Sequence, residues 1–403
     1  LANFKEFQGS VTSPEGFLAG AIHSGIKKDG GLDLTIICSD RPASIAGVFS
    51  KNQVKSATVP LSQKVVEGVF GRAIVANSGN ANSVTGEQGE KDARVMAITT
   101  AKALSISAHE VAVASTGTIG VHMPMDSIVD GIERLAPTLS PDGGDNAAKA
   151  IMTTDTCAKK VAVKVPLSVG EITIGGMAKG SGMICPNMAT MLAFITTDAK
   201  IEPAFLSRAL DAANKSTFNS ITVDGDCSTN DMVLLMANGA ADAAPIDELS
   251  GDYTRFFEGL RHVCAQLAEM IVRDGEGATT LVRIHVDGAV NEVDAQQVAK
   301  KIANSLLVKT AIFGNDANWG RIIMAVGNAG VTINPDIIDI RFGDIVMLEA
   351  GCPRQFDEEQ ATAYLSQKEI DITVDLNMGT ESATVLTCDL SYDYIEINAS
   401  YRT

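Results

Sequence analysis

The chain has 403 residues, 45% of them hydrophobic and only 20% charged, so it can bury a sizeable core and does not read as a disordered regulator. The length suits about two to three lobes or one large α/β body. Against 32 Lys and Arg stand 49 Asp and Glu, a net charge of −17, which argues against nucleic acid and anionic membrane surfaces as partners.

The first residues, LANFKEFQGSVTSPEGF, carry no basic stretch followed by an apolar one, so no secretion signal is expected. Short β-rich runs follow at LDLTIIC from Leu32 and AIVAN from Ala73. Thr85 to Gln88 reads as a capping box opening a helix of about five turns, with Ala93, Met96, Ala97, Thr100, Ala101 and Leu104 on its buried face. Strands are expected at VAVAS from Val111 and VAVKV from Val161. Helical spacing returns at Phe205, Ala209 and Ala213, at Phe256, Leu260, Val263, Leu267 and Ile271, and at Val298, Ile302 and Leu306. Between the last two comes TTLVRIHV from Thr279. Ile370, Ile372, Val374 and Leu376 then alternate with polar residues, as on a strand with one solvated face. There is no repeat of fixed period and no low-complexity linker, and the expected architecture is layered α/β.

Seven cysteines are widely spaced without a CxxC or Cys/His pattern. Neither a disulfide framework nor a metal site is therefore expected, and reduced thiols suit a cytoplasmic location. The uncharged run from Gly180 to Thr197 is broken by Ser, Pro, Asn and Thr, so no membrane span is read there. Asp224, Asp226 and Asp231 form an acidic cluster without calcium-loop spacing, which reads as a polar loop near a site. Trp319 reads as a core or interface residue.

Chemistry concentrates in Gly175 to Lys200, where four glycines, Lys179 and a Pro186-Asn187 turn precede Ala189-Thr190-Met191-Leu192. Glycine loops can cradle phosphate, but neither GxxxxGK[ST] nor a complete GxGxxG occurs here. The alternative centres on Thr190, whose hydroxyl needs a base. None of the five histidines sits in a nucleophile motif. Cleavage between Ala189 and Thr190 would free an α-amine with an ordinary pKa of about 7.7–8.0, which could serve Thr190 itself as base. On residue type alone, Thr190 also fits plain β-branched packing at a strand start.

The string KGSGMICPNMATML closely resembles the self-cleavage signature of the ornithine acetyltransferase family, also called glutamate N-acetyltransferases, of arginine biosynthesis. Similarity extends in order through SPEGFLAGAIHSGIK, NSGNAN, STGTIG, MTTDT, DGEGAT, FGNDANWGR and INASYRT. The resemblance implies an α/β/β/α sandwich with a second α/β lobe in the C-terminal part. It further implies an α chain of residues 1–189, a β chain of residues 190–403 beginning with the nucleophile Thr190, and an (αβ)2 heterotetramer. The implied reaction moves acetyl from N-acetylornithine to glutamate through acetyl-Thr190, with no metal or cofactor and with acetyl-CoA as an optional co-substrate in bifunctional members.

Carried over by resemblance, Thr116 and Gly117 supply the oxyanion donors, and Thr154, Lys179, Thr190, Glu276, Asn398 and Thr403 bind substrate. Lys179 would meet an α-carboxylate and Glu276 an ammonium group. The tail departs from the family at Ser400 and Arg402, and Cys185 stands where Ala or His is commoner. Two other readings compete: an N-terminal-nucleophile amidase or aminopeptidase that gives the acyl group to water, and an uncleaved metabolite-binding protein.

Overall fold

Alternation along the strands decides where the layers lie. In the strand Phe70–Asn80, Ile74 and Ala76 point to one core while Ala73 and Val75 point to another. Strand Val111–Thr118 divides its Ala and Val residues in the same way. Strand Leu192–Thr197 is buried at every position, sending Leu192 and Phe194 inward and Ala193 and Ile195 to the opposite face. A strand covered on both faces reads as a continuous apolar run, as these do. These features belong to a computed structural model that describes residues 4–185, 191–247 and 250–400.

One nine-stranded sheet supplies both β layers. Its hinge is the 16-residue strand Leu34–Phe49. The first half, Leu34 to Cys38, pairs with Phe70–Asn80 and Phe17–Ile22. The second half, Ser44 to Phe49, pairs with Met232–Ala237. Register with Phe70–Asn80 breaks between Cys38 and Ala43, an irregularity of the kind that bends strands, and across it the partner on the other edge changes from Phe17–Ile22 to Met232–Ala237. Beyond Met232–Ala237 lie Leu192–Thr197, Glu171–Lys179, Lys159–Pro166 and Lys5–Phe7.

The two halves meet across an inner core that includes Ile37, Ile45, Ile74, Phe194, Leu234 and Met236. Helices Pro203–Lys215 and Gly251–Arg273 cover one outer face, and Gly86–Leu104 and Met125–Leu135 cover the other. This is the expected α/β/β/α order. A second lobe carries a six-stranded sheet in which Leu281–Ala289 pairs in parallel with Glu369–Asp375. Helices Glu292–Ala303, Leu306–Phe313 and Trp319–Gly327 share its core, with Trp319 packed against it. No described helix is long and apolar enough to cross a membrane.

Two local expectations are corrected. Thr85 precedes the helix Gly86–Leu104, but its hydroxyl donates to Asn82 at 2.8 Å instead of capping, and Gln88 donates to Asp92 at 2.7 Å. A neighbouring side chain thus outcompetes the helix end for the hydroxyl. Leu306 does not continue the face of Val298 and Ile302, because the first helix ends at Ala303. Ser305 caps a new one through the Val308 amide, leaving Leu306 63% exposed.

Phe194 is fully buried between the β layers. Replacing it with Ala should cost about 3–5 kcal/mol, read as a lower urea midpoint in equilibrium unfolding.

Candidate active site

Strand register gathers the chemistry at one end of the sandwich. Lys179, the last residue of its strand, pairs with Leu192, and Leu192 pairs with Met232. The residues just outside these strand ends therefore converge. A cavity of about 440 Å³ opens there, lined by Thr116, Gly117, Thr154, Lys179, Glu276 and Asn398, together with Met191, Asp224 and Asp231. The six predicted residues on this wall come from five separate parts of the chain. Thr190, Ala189 and Thr403 lie outside the described residues, although Met191 and Leu192, next in sequence after Thr190, line the cavity. A wider groove of about 830 Å³ between the helices Thr58–Glu67 and Gly86–Leu104 contains none of the predicted residues.

The floor is held by a buried ion network. Asp155 accepts from Lys159 at 2.6 Å, from the Gly180 amide at 2.6 Å and from the Thr153 amide at 2.9 Å. Lys159 also reaches Asp274 at 2.6 Å, and Asp274 in turn takes the Thr156 amide and hydroxyl. Burial alone would raise the Asp155 carboxyl. The positive charges of Lys179 and Lys159 outweigh it, and with the Gly180 amide they bring the group down to about 2.

Lys179 stands on this floor with a different balance. It is buried and has no hydrogen-bond partner among the described residues. Burial pushes its pKa below the usual lysine value, against the pull of Asp155, Asp231 and Glu276. A cation held in a cavity without a contact partner is a receptor for an anionic group.

Opposite it, Glu276 accepts from Asn398 at 2.7 Å, and its backbone amide donates to Ser181 at 2.8 Å. Gly182 makes this approach possible, because a Cβ there would overlap the Glu276 carboxylate. Thr154 and Ser181 share a hydroxyl hydrogen bond of 2.8 Å. Thr116 and Gly117 end the strand Val111–Thr118, and Asn230 fixes that end by donating to the carbonyls of Ser115 at 2.7 Å and Ala81 at 2.6 Å. Gly117 has φ +131°, and a Cβ there would overlap the Gly79 backbone. Only glycine lets the two strands approach so closely.

The rim is organised by Asp224, which accepts from the amides of Met183 at 2.6 Å and Ile184 at 2.9 Å, and from the Tyr394 hydroxyl at 3.3 Å. Burial, then Asp224 itself, pushes the Tyr394 hydroxyl up. Cys185 accepts from Asn304 at 3.5 Å. The acidic segment expected near the site is thus part of its wall, with Asp224, Asp226 and Asp231 all lining the cavity.

A protein family whose sequence pattern matches residues 18–403 is the ArgJ family. The chain belongs to the ArgJ family. A relative from Symbiobacterium thermophilum, named arginine biosynthesis bifunctional protein ArgJ, is 49% identical over 98% of this chain and 99% of its own. The crystal structure of arginine biosynthesis bifunctional protein argJ from Bacillus halodurans is 49% identical, with a TM-score of 0.50. There, 51% of this chain accounts for 97% of that chain. A structure of ornithine acetyltransferase complexed with ornithine from Mycobacterium tuberculosis is 41% identical, covering 46% of this chain and 100% of that one, at a TM-score of 0.44.

Sequence reasoning for this ArgJ family member missed Asp155, Lys159, Asp274 and Asn230 as supports. Asp155 and Asp274 lay inside motifs already singled out and Lys159 lies four residues after Asp155, whereas nothing local marked Asn230. Asp155→Asn should cost about 3 kcal/mol at neutral pH by leaving Lys159 short of a counter-charge. Because the folded carboxyl sits at about 2, below its ordinary range, its contribution is complete above that range and lost as pH falls toward about 2. Unfolding measured from neutral to acidic pH should find the gap between wild type and variant closing below about pH 4.

Proposed function

We propose that this protein is an acyltransferase of arginine biosynthesis that carries acetyl from N-acetylornithine to glutamate, using Thr190 as nucleophile. The observation that carries the reading is the meeting of Thr116, Gly117, Thr154, Lys179, Glu276 and Asn398 in one cavity that Met191 also lines. These are the positions that similarity to the ornithine acetyltransferases assigns to oxyanion stabilisation and substrate binding.

The chemistry runs in two halves. Peptide cleavage after Ala189 makes Thr190 an N-terminal residue, whose α-amine takes the hydroxyl proton as Oγ1 attacks the acetamide carbonyl. The Thr116 hydroxyl and Gly117 N–H donate to the resulting oxyanion, held without reorganisation by the strand end that Asn230 ties down. The α-amine passes its proton to the departing ornithine amine, leaving acetyl-Thr190. Glutamate then attacks this ester, and the same donors serve the second tetrahedral intermediate. Lys179 holds the α-carboxylate of each amino acid in turn, while Glu276, oriented by Asn398, receives an α-ammonium, that of a free amino acid or of processed Thr190. Thr154 and Thr403 complete the substrate contacts.

Processing into an α chain of residues 1–189 and a β chain of residues 190–403 has support in the length of a solved relative. About half of this chain covers nearly all of the Bacillus halodurans chain, although the full-length Symbiobacterium relative spans almost all of it. Assembly as (αβ)2, a cytoplasmic location, and acetyl-CoA as an alternative donor form part of the same reading, with no metal or prosthetic group required.

Thr190→Ala should leave one full-length band on a denaturing gel and no detectable transfer, where wild type gives two bands and acetylglutamate. Two bands from the variant would contradict self-cleavage by the threonine. Acetate release indifferent to glutamate would favour the amidase instead.

A further inference from the structure

The two amino acids of the proposed reaction pose a charge problem that the cavity must solve. If Lys179 anchors the α-carboxylate of both, their side chains run to the same region. Ornithine then places an ammonium where glutamate, the same number of bonds from the α-carbon, places a carboxylate. Among the described residues the cavity wall carries Asp224, Asp226, Asp231 and Glu276 against one cation, Lys179. Such a wall suits the ammonium, and it repels the acceptor's second carboxylate unless one of the acids can become neutral.

The hydrogen bonds distinguish these acids. Asp224 is committed to the Met183 and Ile184 amides and the Tyr394 hydroxyl, Glu276 takes Asn398, and Asp226 is exposed to water. Asp231 is different, being only 2% exposed. Its carboxyl meets the Cys227 thiol at 3.9 Å and the Ser228 hydroxyl and amide, with no cation in contact among the described residues. Around it, Lys179 faces from the end of Glu171–Lys179, one strand beyond Leu192–Thr197, and Cys227 from its own loop, with Lys300 beside Cys227. We propose that Asp231 is the specificity-determining group of the site, receiving the donor's side-chain ammonium as a carboxylate and the acceptor's side-chain carboxylate as a neutral acid. The proton it gains comes from solvent when glutamate binds and returns to solvent when acetylglutamate leaves, so neither half-reaction consumes it. Burial pushes the Asp231 carboxyl well above the usual range, against the weaker pull of Ser228, Lys179 and Cys227, which brings the neutral form within reach.

This inference rests on the acetyl-transfer reading, and the test separates the two. Steady-state KM values for acetylornithine and for glutamate are measured against pH in wild type and in Asp231→Asn. In wild type the acetylornithine KM should fall as pH rises and the glutamate KM should rise. In the near-isosteric variant this opposition should disappear, with the acetylornithine KM raised about tenfold or more, the loss expected for a charged hydrogen bond. The glutamate KM should stay within about twofold of its low-pH wild-type value. Parallel pH trends in wild type, or a variant that raises both KM values equally or neither, would overturn the assignment of Asp231 while transfer itself stands. The wild-type trends decide the matter even where the variant folds poorly. A wild-type enzyme that consumes no acetylornithine overturns the functional reading and this inference with it.

Discussion

The site depends on one buried carboxylate. Asp155 joins the start of the strand Lys159–Pro166, through Lys159, to Gly180, the first residue after the strand Glu171–Lys179. Lys159 carries the connection on to Asp274, which begins the turn holding Glu276. A buried charge without such partners would be prohibitive. With them, the network fixes the exit of the glycine loop and the approach of Glu276 in a single unit, and it leaves the charge of Lys179 facing the cavity.

Residues on both sides of the Ala189–Thr190 bond build this cavity. Thr116, Gly117, Thr154 and Lys179 precede the bond, and Glu276 and Asn398 follow it. The halves are nevertheless one folding unit: Glu171–Lys179 and Leu192–Thr197 are neighbouring antiparallel strands, and Leu192–Thr197 then pairs with Met232–Ala237. Cutting between two paired strands leaves their hydrogen bonds and their shared cores intact. The cut proposed above is therefore compatible with an intact fold.

Much of this architecture was legible because it is periodic. The helices Gly86–Leu104, Pro203–Lys215 and Gly251–Arg273 and the strand Glu369–Asp375 follow apolar spacing closely. What failed was local competition. Thr85 turns its hydroxyl to Asn82 and caps no helix amide, and Ser305 restarted a helix that apolar spacing alone carried through Leu306. The sixteen-residue strand from Leu34 runs on through Arg41 and Pro42, which fall in the gap between its two paired stretches. In the site, the contiguous motif around Thr190 gave the family, and the positions carried over by that resemblance, apart from those outside the described residues, meet in one cavity. Lys159 stands four residues from Asp155, but its second partner Asp274 lies 115 residues away and only the fold brings the three together; Asn230 gives no sign in sequence that it ties down the strand carrying Thr116.

The central claim is that processed Thr190 carries the acetyl group between two amino acids. Its most direct test is peptide mass spectrometry after mixing the enzyme with N-acetylornithine in the absence of glutamate. The account predicts that the peptide beginning at Thr190 gains the mass of one acetyl group and loses it when glutamate is added. An acetyl group on any other residue, or a Thr190 peptide that stays unmodified while ornithine is released, would contradict it.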